Sequence, residues 1–364
     1  MLLIYLTIIV CYLYLILIAY FVFGWKQISV FVPTSEGSKK ISISLVVACK
    51  NEEVHLQRLL SCLAQQSFQN FELILVNDHS TDGTSRIMQK AVSAFSNLQI
   101  LNSTGFGKKQ AIKDAIILAN GKIIVTTDAD CTPSFHWLET IVSFYKKYPS
   151  DLIICPVRLS NSGSLFSHLQ SLEFTSLVAS GGAAAGAGMP ILCNGANLAF
   201  TKKAWLQSQN DLHLEEPSGD DIFLLQSIKK RRGVIRFLKS ESAFVTTKAT
   251  NTLGEFYRQR QRWAAKSPSY TDWQLIITAC IVLSISLLVL LLFGLSIYDP
   301  SYWKVLIATT TVKFLIDASF LFSVRTFFQL QYVWWYAFLL SMIYPFYIVF
   351  IALSALLFKP KNWK

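Results

Sequence analysis

The amino-acid sequence predicts an α/β domain with a mainly parallel sheet, set between one N-terminal transmembrane helix and about three hydrophobic helices at the C-terminus. Two observations lead there. The chain ends are long apolar runs, and the middle alternates apolar segments of strand length with amphipathic segments of helix length, the pattern of strand–helix units that close a parallel sheet. A third observation places the chemistry: clusters of asparagine and carboxylate residues fall at the C-terminal ends of the expected strands, where open α/β sheets bind their ligands.

Of 364 residues, 52% are hydrophobic and 15% charged, and the mean hydropathy is +0.42. That is too apolar for an ordinary soluble chain of this length. Leu2 to Phe23 contains no Asp, Glu, Lys, Arg or His and matches the roughly 20 residues that cross a hydrocarbon core as a helix. It lacks the basic start and small-residue cleavage site of a signal peptide, so it reads as a retained span. Three further blocks near Leu275 to Ile297, Val305 to Phe322 and Val333 to Phe358 are each long enough to cross. The expected division is a span over 1–24, an α/β domain over 25–271 and a membrane domain over 272–364.

Lys26, Lys39 and Lys40 follow the first span and no Lys or Arg precedes it. The positive-inside rule then places Met1 outside and the α/β domain in the cytoplasm, as part of an integral protein of the inner (plasma) membrane. Three more spans put Lys359, Lys361 and Lys364 outside, against the same rule, which a re-entrant or interfacial block among the three would relieve. The formal charge of +11 is scattered along the chain, favouring polyphosphate donors and anionic lipid headgroups over nucleic acid as partners. Seven cysteines without a regular pairing pattern read as reduced thiols.

Ile43 to Ala48 reads as the first strand, with Glu53 to Ala64 as the helix behind it. Phe71 to Val76 is the second strand, followed by a helix from about Asp82 to Phe95; Leu98 to Leu101, Lys108 to Ala119 and Lys122 to Thr127 continue as strand, helix and strand. Two nucleotide motifs are excluded by inspection. The first strand runs into Cys49, Lys50, Asn51 and Glu52 instead of the G-x-G-x-x-G of a dinucleotide site. Gly105-Phe106-Gly107-Lys108 is half a P-loop, but Asn102 stands at its first glycine and Lys109 at its Ser or Thr.

Asp128-Ala129-Asp130 ends an apolar strand, so two carboxylates can meet one cation. Mg²⁺ or Mn²⁺ takes one or two protein carboxylates and completes its shell with water and substrate phosphates, and there it would neutralise a diphosphate leaving group. The bland alternative is a solvated loop. Asp78 sits at a strand end, placed to accept from a nucleobase imide; Ser80, Thr81 and Asp82 fit caps of the next helix, which accounts for Asp82 better than for Asp78. Asp220 and Asp221 open the helical run Ile222 to Leu225, as ordinary dipole partners or as the general base that takes a proton from an incoming hydroxyl. Gln259, Arg262 and Trp263 lie on an amphipathic helix before the C-terminal blocks. They are either a juxtamembrane anchor or a brace in which Arg262 holds a diphosphate and Trp263 walls an acceptor pocket.

Taken together and in order, these clusters resemble the family 2 glycosyltransferases of GT-A fold. Ala48 to Glu53 resembles the family's P/A-x-x-N-E-E strand end, Val76 to Thr84 its V-D-D-x-S-T-D-G-T turn, and Gly107 to Ala111 its G-K-x-x-A segment. Asp128 to Asp130 is similar to its D-x-D, Gly195 to Asn197 to its G-A/T-N, Ser218 to Asp221 to its E-D motif, and Gln259 to Trp263 to its Q-x-x-R-W. The resemblance covers roughly residues 41 to 265 and implies an inverting transferase using a nucleotide sugar, with a UDP-sugar favoured. It implies that Ala48, Glu52 and Asp78 hold the base of the donor, that Lys108 lies near the donor, and that Asn51 and Gly107 also belong to the substrate-binding residues. Asp128 and Asp130 would take the Mg²⁺ or Mn²⁺, and Asn197 would lie on the acceptor side. Asp221, with Asp220 beside it, would be the catalytic base, and Gln259, Arg262 and Trp263 would close the product side. Asn77 replaces the usual first acid of the base-binding turn and Asp220 the usual Glu; Cys49 and Lys50 also depart from the pattern.

The Q-x-x-R-W is similar to that of processive synthases of cellulose, hyaluronan and poly-N-acetylglucosamine, and to that of ceramide glucosyltransferases. Four spans supply few helices for a polymer channel, so transfer to a membrane lipid or lipid-linked acceptor is the first expectation and processive synthesis the alternative. An inactive, sugar-nucleotide-binding scaffold is the alternative of another class, against which Asp128, Asp130 and Asp221 stand. Leu165 to Pro190, rich in Ala and Gly at 181–188, reads as a small-residue floor near the bilayer or as a flexible loop. Lys313 and Asp317, spaced i,i+4 inside a span, are expected to neutralise each other.

Overall fold

The computed structural model describes residues 1–33, 41–213, 216 and 218–357. The topology argument from Lys39, Lys40, Lys359, Lys361 and Lys364 concerns residues outside this set. The described chain forms two compact units: 1–27, 161–191 and 249–357 make a helical unit, and 28–160 with 192–248 make an α/β unit. The expected boundaries were contiguous, whereas the units interleave. The reason lies in α6 (Leu165–Gly186) and α9 (Leu253–Ala264), which pack against apolar helices of their own unit.

In the α/β unit, β1 (Ile43–Cys49) is buried along its whole length, as its run of branched aliphatic residues requires of a central strand covered on both faces. It pairs in parallel with β2 (Phe71–Asn77) and β4 (Ile123–Thr126), Ile43 standing beside Phe71 on one side and Ile123 on the other. β3 (Leu98–Asn102) extends the sheet beyond β2. The full order is β3-β2-β1-β4-β8-β6-β9, with β8 (Leu198–Thr201) antiparallel to both β4 and β6 (Leu152–Ile154), and with β9 (Ile235–Phe237) parallel to β6 at the edge. A second sheet of β5 (Thr132–Pro133), β10 (Val245–Lys248) and β7 (Val157–Ser160) lies after the D-x-D strand.

The helices α2 (Leu56–Ala64), α3 (Thr84–Ala91), α4 (Lys108–Leu118), α5 (Trp137–Lys147), α7 (Lys202–Ser208) and α8 (Asp220–Lys230) connect the strands. α2 and α3 are shorter than the sequence predicts because their leading residues form interlocked turns. Asp82 accepts from the Thr84 and Glu53 N–H groups, each at 3.0 Å, and Glu53 accepts from Gly83 N–H at 3.0 Å.

At the opposite end of β2, Glu72 is a buried carboxylate tying three strands. It accepts from Ser44 Oγ, Asn120 N–H (2.9 Å), Asn120 Nδ2 (2.9 Å) and Gln99 Nε2 (2.6 Å). Burial works against its charge, but these hydrogen bonds outweigh burial and hold its pKa below the ordinary value. A carboxyl depressed in the folded state adds stability above its unfolded pKa and loses it as pH falls through the folded value. Glu72→Ala is therefore expected to destabilise the α/β unit by about 3 kcal/mol at neutral pH, and by progressively less below the ordinary carboxylate range. Denaturant unfolding of the two forms across pH checks this; a difference independent of pH would contradict it.

In the helical unit, α1 (Leu2–Gln27), α10 (Trp273–Tyr298), α11 (Tyr302–Phe328) and α12 (Val333–Leu357) are, among the described residues, the four helices long and apolar enough to cross a membrane. All three C-terminal blocks reach 25 residues or more, so none is shortened into a half-span. The segment after Leu165 is the 22-residue helix α6 rather than a loop. Its small residues allow close packing: a Cβ on Gly24 of α1 would lie 2.0 Å from Ala183 O, the backbone approach that small residues give helices in lipid. Lys313 Nζ donates to Asp317 at 2.6 Å, and Tyr14 of α1 donates to the other oxygen of the same carboxylate, so the pair is neutralised and also pins α1 to α11.

Candidate active site

The site is built at the C-terminal ends of β1, β2 and β4, around the start of α4. Gly107, which precedes α4, has φ +98°, a conformation that penalises any side chain. Its N–H points at both oxygens of Asp78, at 3.2 and 3.1 Å. Asp78 is fully buried, with Lys50 Nζ at 3.9 Å and His79 Nδ1 at 3.1 Å. The carboxylate thus fixes the turn that presents the next residue, Lys108.

Lys108 Nζ donates to Asp128 Oδ1 at 2.6 Å. Two threonines at the end of β4 hold the facing segment, Thr126 Oγ1 donating to Gly195 O at 3.0 Å and Thr127 Oγ1 to Ala196 O at 2.9 Å. Gly195 N–H in turn donates to Asp221 Oδ2 at 3.0 Å, and a Cβ on Gly195 would lie 3.2 Å from Asp220 Oδ2 and 3.5 Å from Lys108 Nζ. Lys108, Asp128, Asp220 and Asp221 therefore gather round one bare glycine. Burial opposes the lysine's charge, but Asp128, Asp220 and Asp221 overcome it and push its pKa up.

Asp130 lies beside Thr247, whose Oγ1 is 3.5 Å from Oδ2. Burial and the neighbouring Asp128 charge push its pKa up, against Cys131, His55 and Lys108. Ligand atoms of Asp128, Asp130 and Cys131 all lie within 4.8 Å of one another. Two crowded carboxylates whose repulsion a cation would relieve fit Mg²⁺ or Mn²⁺, which prefer oxygen donors.

Ala48, at the end of β1, is buried. Asn51 and Glu52 sew the β1–α2 loop to the β2–α3 loop: Asn51 Oδ1 accepts Thr81 N–H at 2.8 Å, and Glu52 N–H donates to Thr84 Oγ1 at 2.7 Å. Asn197 belongs to the segment expected on the acceptor side. Its side chain is fully buried, donating to Pro156 O (2.7 Å) and Ala243 O (2.9 Å) and accepting from Trp137 Nε1 (2.8 Å). It is a frame residue, whereas Gly195, two positions earlier, faces the charges.

Gln259, Arg262 and Trp263 lie on α9 of the helical unit. Arg262 is half-buried, while Gln259 and Trp263 both lean on Arg260. Gln259 Oε1 accepts from Arg260 Nη1, and the Trp263 and Phe256 ring centres are 4.3 and 4.6 Å from the guanidinium. Arg260 is 4% exposed and donates to both oxygens of Glu173, Nε to Oε1 at 3.1 Å. Sequence reasoning passed over this arginine. The signal was the helical face shared by Phe256, Arg260 and Trp263 at i, i+4 and i+7. It also missed Phe106, an 80% exposed ring stacked on His79 at 4.3 Å beside the Asp78 turn.

The fold and site define a mixed α/β domain of GT-A-like architecture. Residues 44–205 match the family model Glycosyl transferase family 2. Glycosyltransferase AglE of Haloferax volcanii is 30% identical over 114 residues, 30% of this chain and 38% of that protein. Beta-monoglucosyldiacylglycerol synthase of Nostoc sp. is 30% identical over 111 residues, 29% of this chain and 24% of that protein. The chain thus matches these two curated relatives over 24–38% of their length. Among solved structures, the mannosyltransferase PcManGT from Pyrobaculum calidifontis shares the fold with a TM-score of 0.57 at 15% identity, covering 98% of this chain and 100% of that one.

Proposed function

We propose that the protein is an inverting glycosyltransferase that moves a sugar from a nucleotide-diphospho-sugar to a membrane lipid or lipid-linked acceptor, on the cytoplasmic face of the inner membrane. The observation that carries this reading is the gathering of Lys108, Asp128, Asp220 and Asp221 about Gly195, with Asp130 beside Asp128. Asp128 and Asp130 would hold Mg²⁺ or Mn²⁺, which supplies Lewis-acid stabilisation of a diphosphate. Lys108 places a second, permanent positive charge where the leaving group's charge grows. Asp221 takes the proton of the acceptor hydroxyl as its oxygen attacks the anomeric carbon; the bond to the diphosphate breaks on the opposite face and the configuration inverts. Ala48, Glu52 and Asp78 are assigned to the base of the donor, with Asn51 among the substrate-binding residues, and Gln259, Arg262 and Trp263 to the product side.

Further support comes from the neighbours. PcManGT was solved with GDP-Man and Mn²⁺, and the Nostoc relative is named for a glycosylated diacylglycerol. A UDP-sugar remains the favoured donor on the resemblance of the strand ends. The decisive test is release of nucleoside diphosphate by the purified full chain in native lipid extract, with a panel of nucleotide sugars and Mn²⁺ or Mg²⁺, beside Asp130→Asn. Metal-dependent turnover with a labelled lipid product, lost in the variant, is expected. Metal-dependent donor binding without turnover across a broad acceptor set would replace the reading with that of a binding scaffold.

A further inference from the structure

We propose that one corner of the α/β unit, formed by the segment 28–33, the end of α5 and the edge strand β9, is a docking surface for anionic phospholipid headgroups. The inference stands on α1 being membrane-inserted and on no step of sugar transfer, so failure of the proposed chemistry leaves it untouched.

The corner is tied to the end of α1 by a very short piece of chain. α1 ends at Gln27, and Phe31 is already pinned: its N–H donates to Lys239 O at 2.8 Å, while Lys239 Nζ returns to Ile28 O at 3.1 Å. The Phe31 ring packs edge-on against Phe144 at 5.1 Å and Tyr148 at 6.4 Å. Four residues reach at most about 14 Å, so chain length alone keeps Phe31 within that reach of the last residue of α1.

What holds it is basic and aromatic. Lys147 Nζ is 5.3 Å and the Arg236 guanidinium 5.7 Å from the exposed Tyr148 ring, one from α5 and one from the sheet edge. Lys146, the preceding residue of α5, is also exposed. Asp151, beside β9, is engaged with the backbone, its carboxylate accepting Val234 N–H at 2.8 Å. The segment itself alternates, Phe31 facing in while Val30 and Val32 are 63% and 73% exposed. Basic residues at helix ends often only complement the helix dipole, and a charged edge strand also discourages strand addition. Neither reading accounts for two exposed valines beside the cations, whereas an anionic interface takes both: apolar side chains at the acyl boundary and lysine and arginine among the phosphates.

The test is hydrogen exchange of the full chain in nanodiscs of phosphatidylcholine alone and of phosphatidylcholine with phosphatidylglycerol, at low and high salt. Amides of 28–33, 146–151 and 234–237 are expected to exchange severalfold more slowly with the anionic lipid. This protection should disappear at high salt and in Lys147→Glu/Arg236→Glu, while β1 and β2 exchange as in the parent. Exchange indifferent to lipid charge would overturn the proposal. So would equal protection by free inorganic pyrophosphate in phosphatidylcholine discs, which would make the corner a soluble-phosphate site.

Discussion

Asp221→Asn is expected to lower turnover by about 10²–10⁴-fold, the usual contribution of a positioned general base, with donor binding close to that of the parent. The side chain sits in the first turn of α8, Oδ1 accepting Ile222 N–H at 2.8 Å and Oδ2 accepting Gly195 N–H at 3.0 Å. An amide keeps one acceptor oxygen and nearly the same volume, so one of these two bonds survives and the loop carrying Gly195 keeps its course. What disappears is proton affinity. In the proposed mechanism donor affinity rests instead on the base side of the sheet and on Lys108, Asp128 and Asp130, which the substitution leaves in place. Asp220→Asn is the control, because its carboxylate faces the same glycine and the same lysine; a loss within about tenfold is expected for a group that only shapes the local field. The two variants, compared by single-turnover transfer and by nucleotide binding, separate the roles. A larger loss in Asp220→Asn would transfer the base assignment to Asp220, and loss of donor binding in Asp221→Asn would show that the acid holds the donor instead.

The strands and helices up to Thr126 were legible because each central strand is a mostly aliphatic run of strand length and amphipathic helical segments follow between them. Beyond that point the sheet is made of three- and four-residue strands, β6, β8 and β9. So short a run carries no readable period, and the antiparallel insertion of β8 between β4 and β6 could not be foreseen. The charged residues of the site were legible as types at strand ends, but their partnerships were not. Nothing in the spacing of Asp78 and Gly107 says that one receives the other's N–H, since 29 residues separate them. Asn197 shows the complementary limit: its place in an acceptor-side motif does not reveal the three hydrogen bonds to the protein that enclose its side chain. The interleaving of the two units escaped for a similar reason. α6 is apolar and rich in small residues but carries Glu173, and only its packing partners show that this acid has a buried arginine to meet.

That buried pair gives the second large expected effect. Glu173→Ala removes the carboxylate that accepts from Arg260 Nε and Nη2 and from Tyr347 Oη at 3.3 Å, leaving a guanidinium that is 4% exposed without its anion. Breaking a buried ion pair from one side costs about 3–5 kcal/mol, whereas replacing both partners by apolar side chains of similar size is often neutral. The full chain in detergent is therefore expected to unfold at markedly lower denaturant in Glu173→Ala, and Glu173→Met/Arg260→Met should recover most of the difference. Activity separates packing from positioning. Arg260 lies against the Phe256 and Trp263 rings and donates to Gln259, so the apolar pair restores the helix packing while leaving Gln259 and Trp263 without the group they lean on. Parent-like stability with impaired transfer in the double variant is the expected outcome; full activity there would mean that the arginine only holds α9 to the bundle.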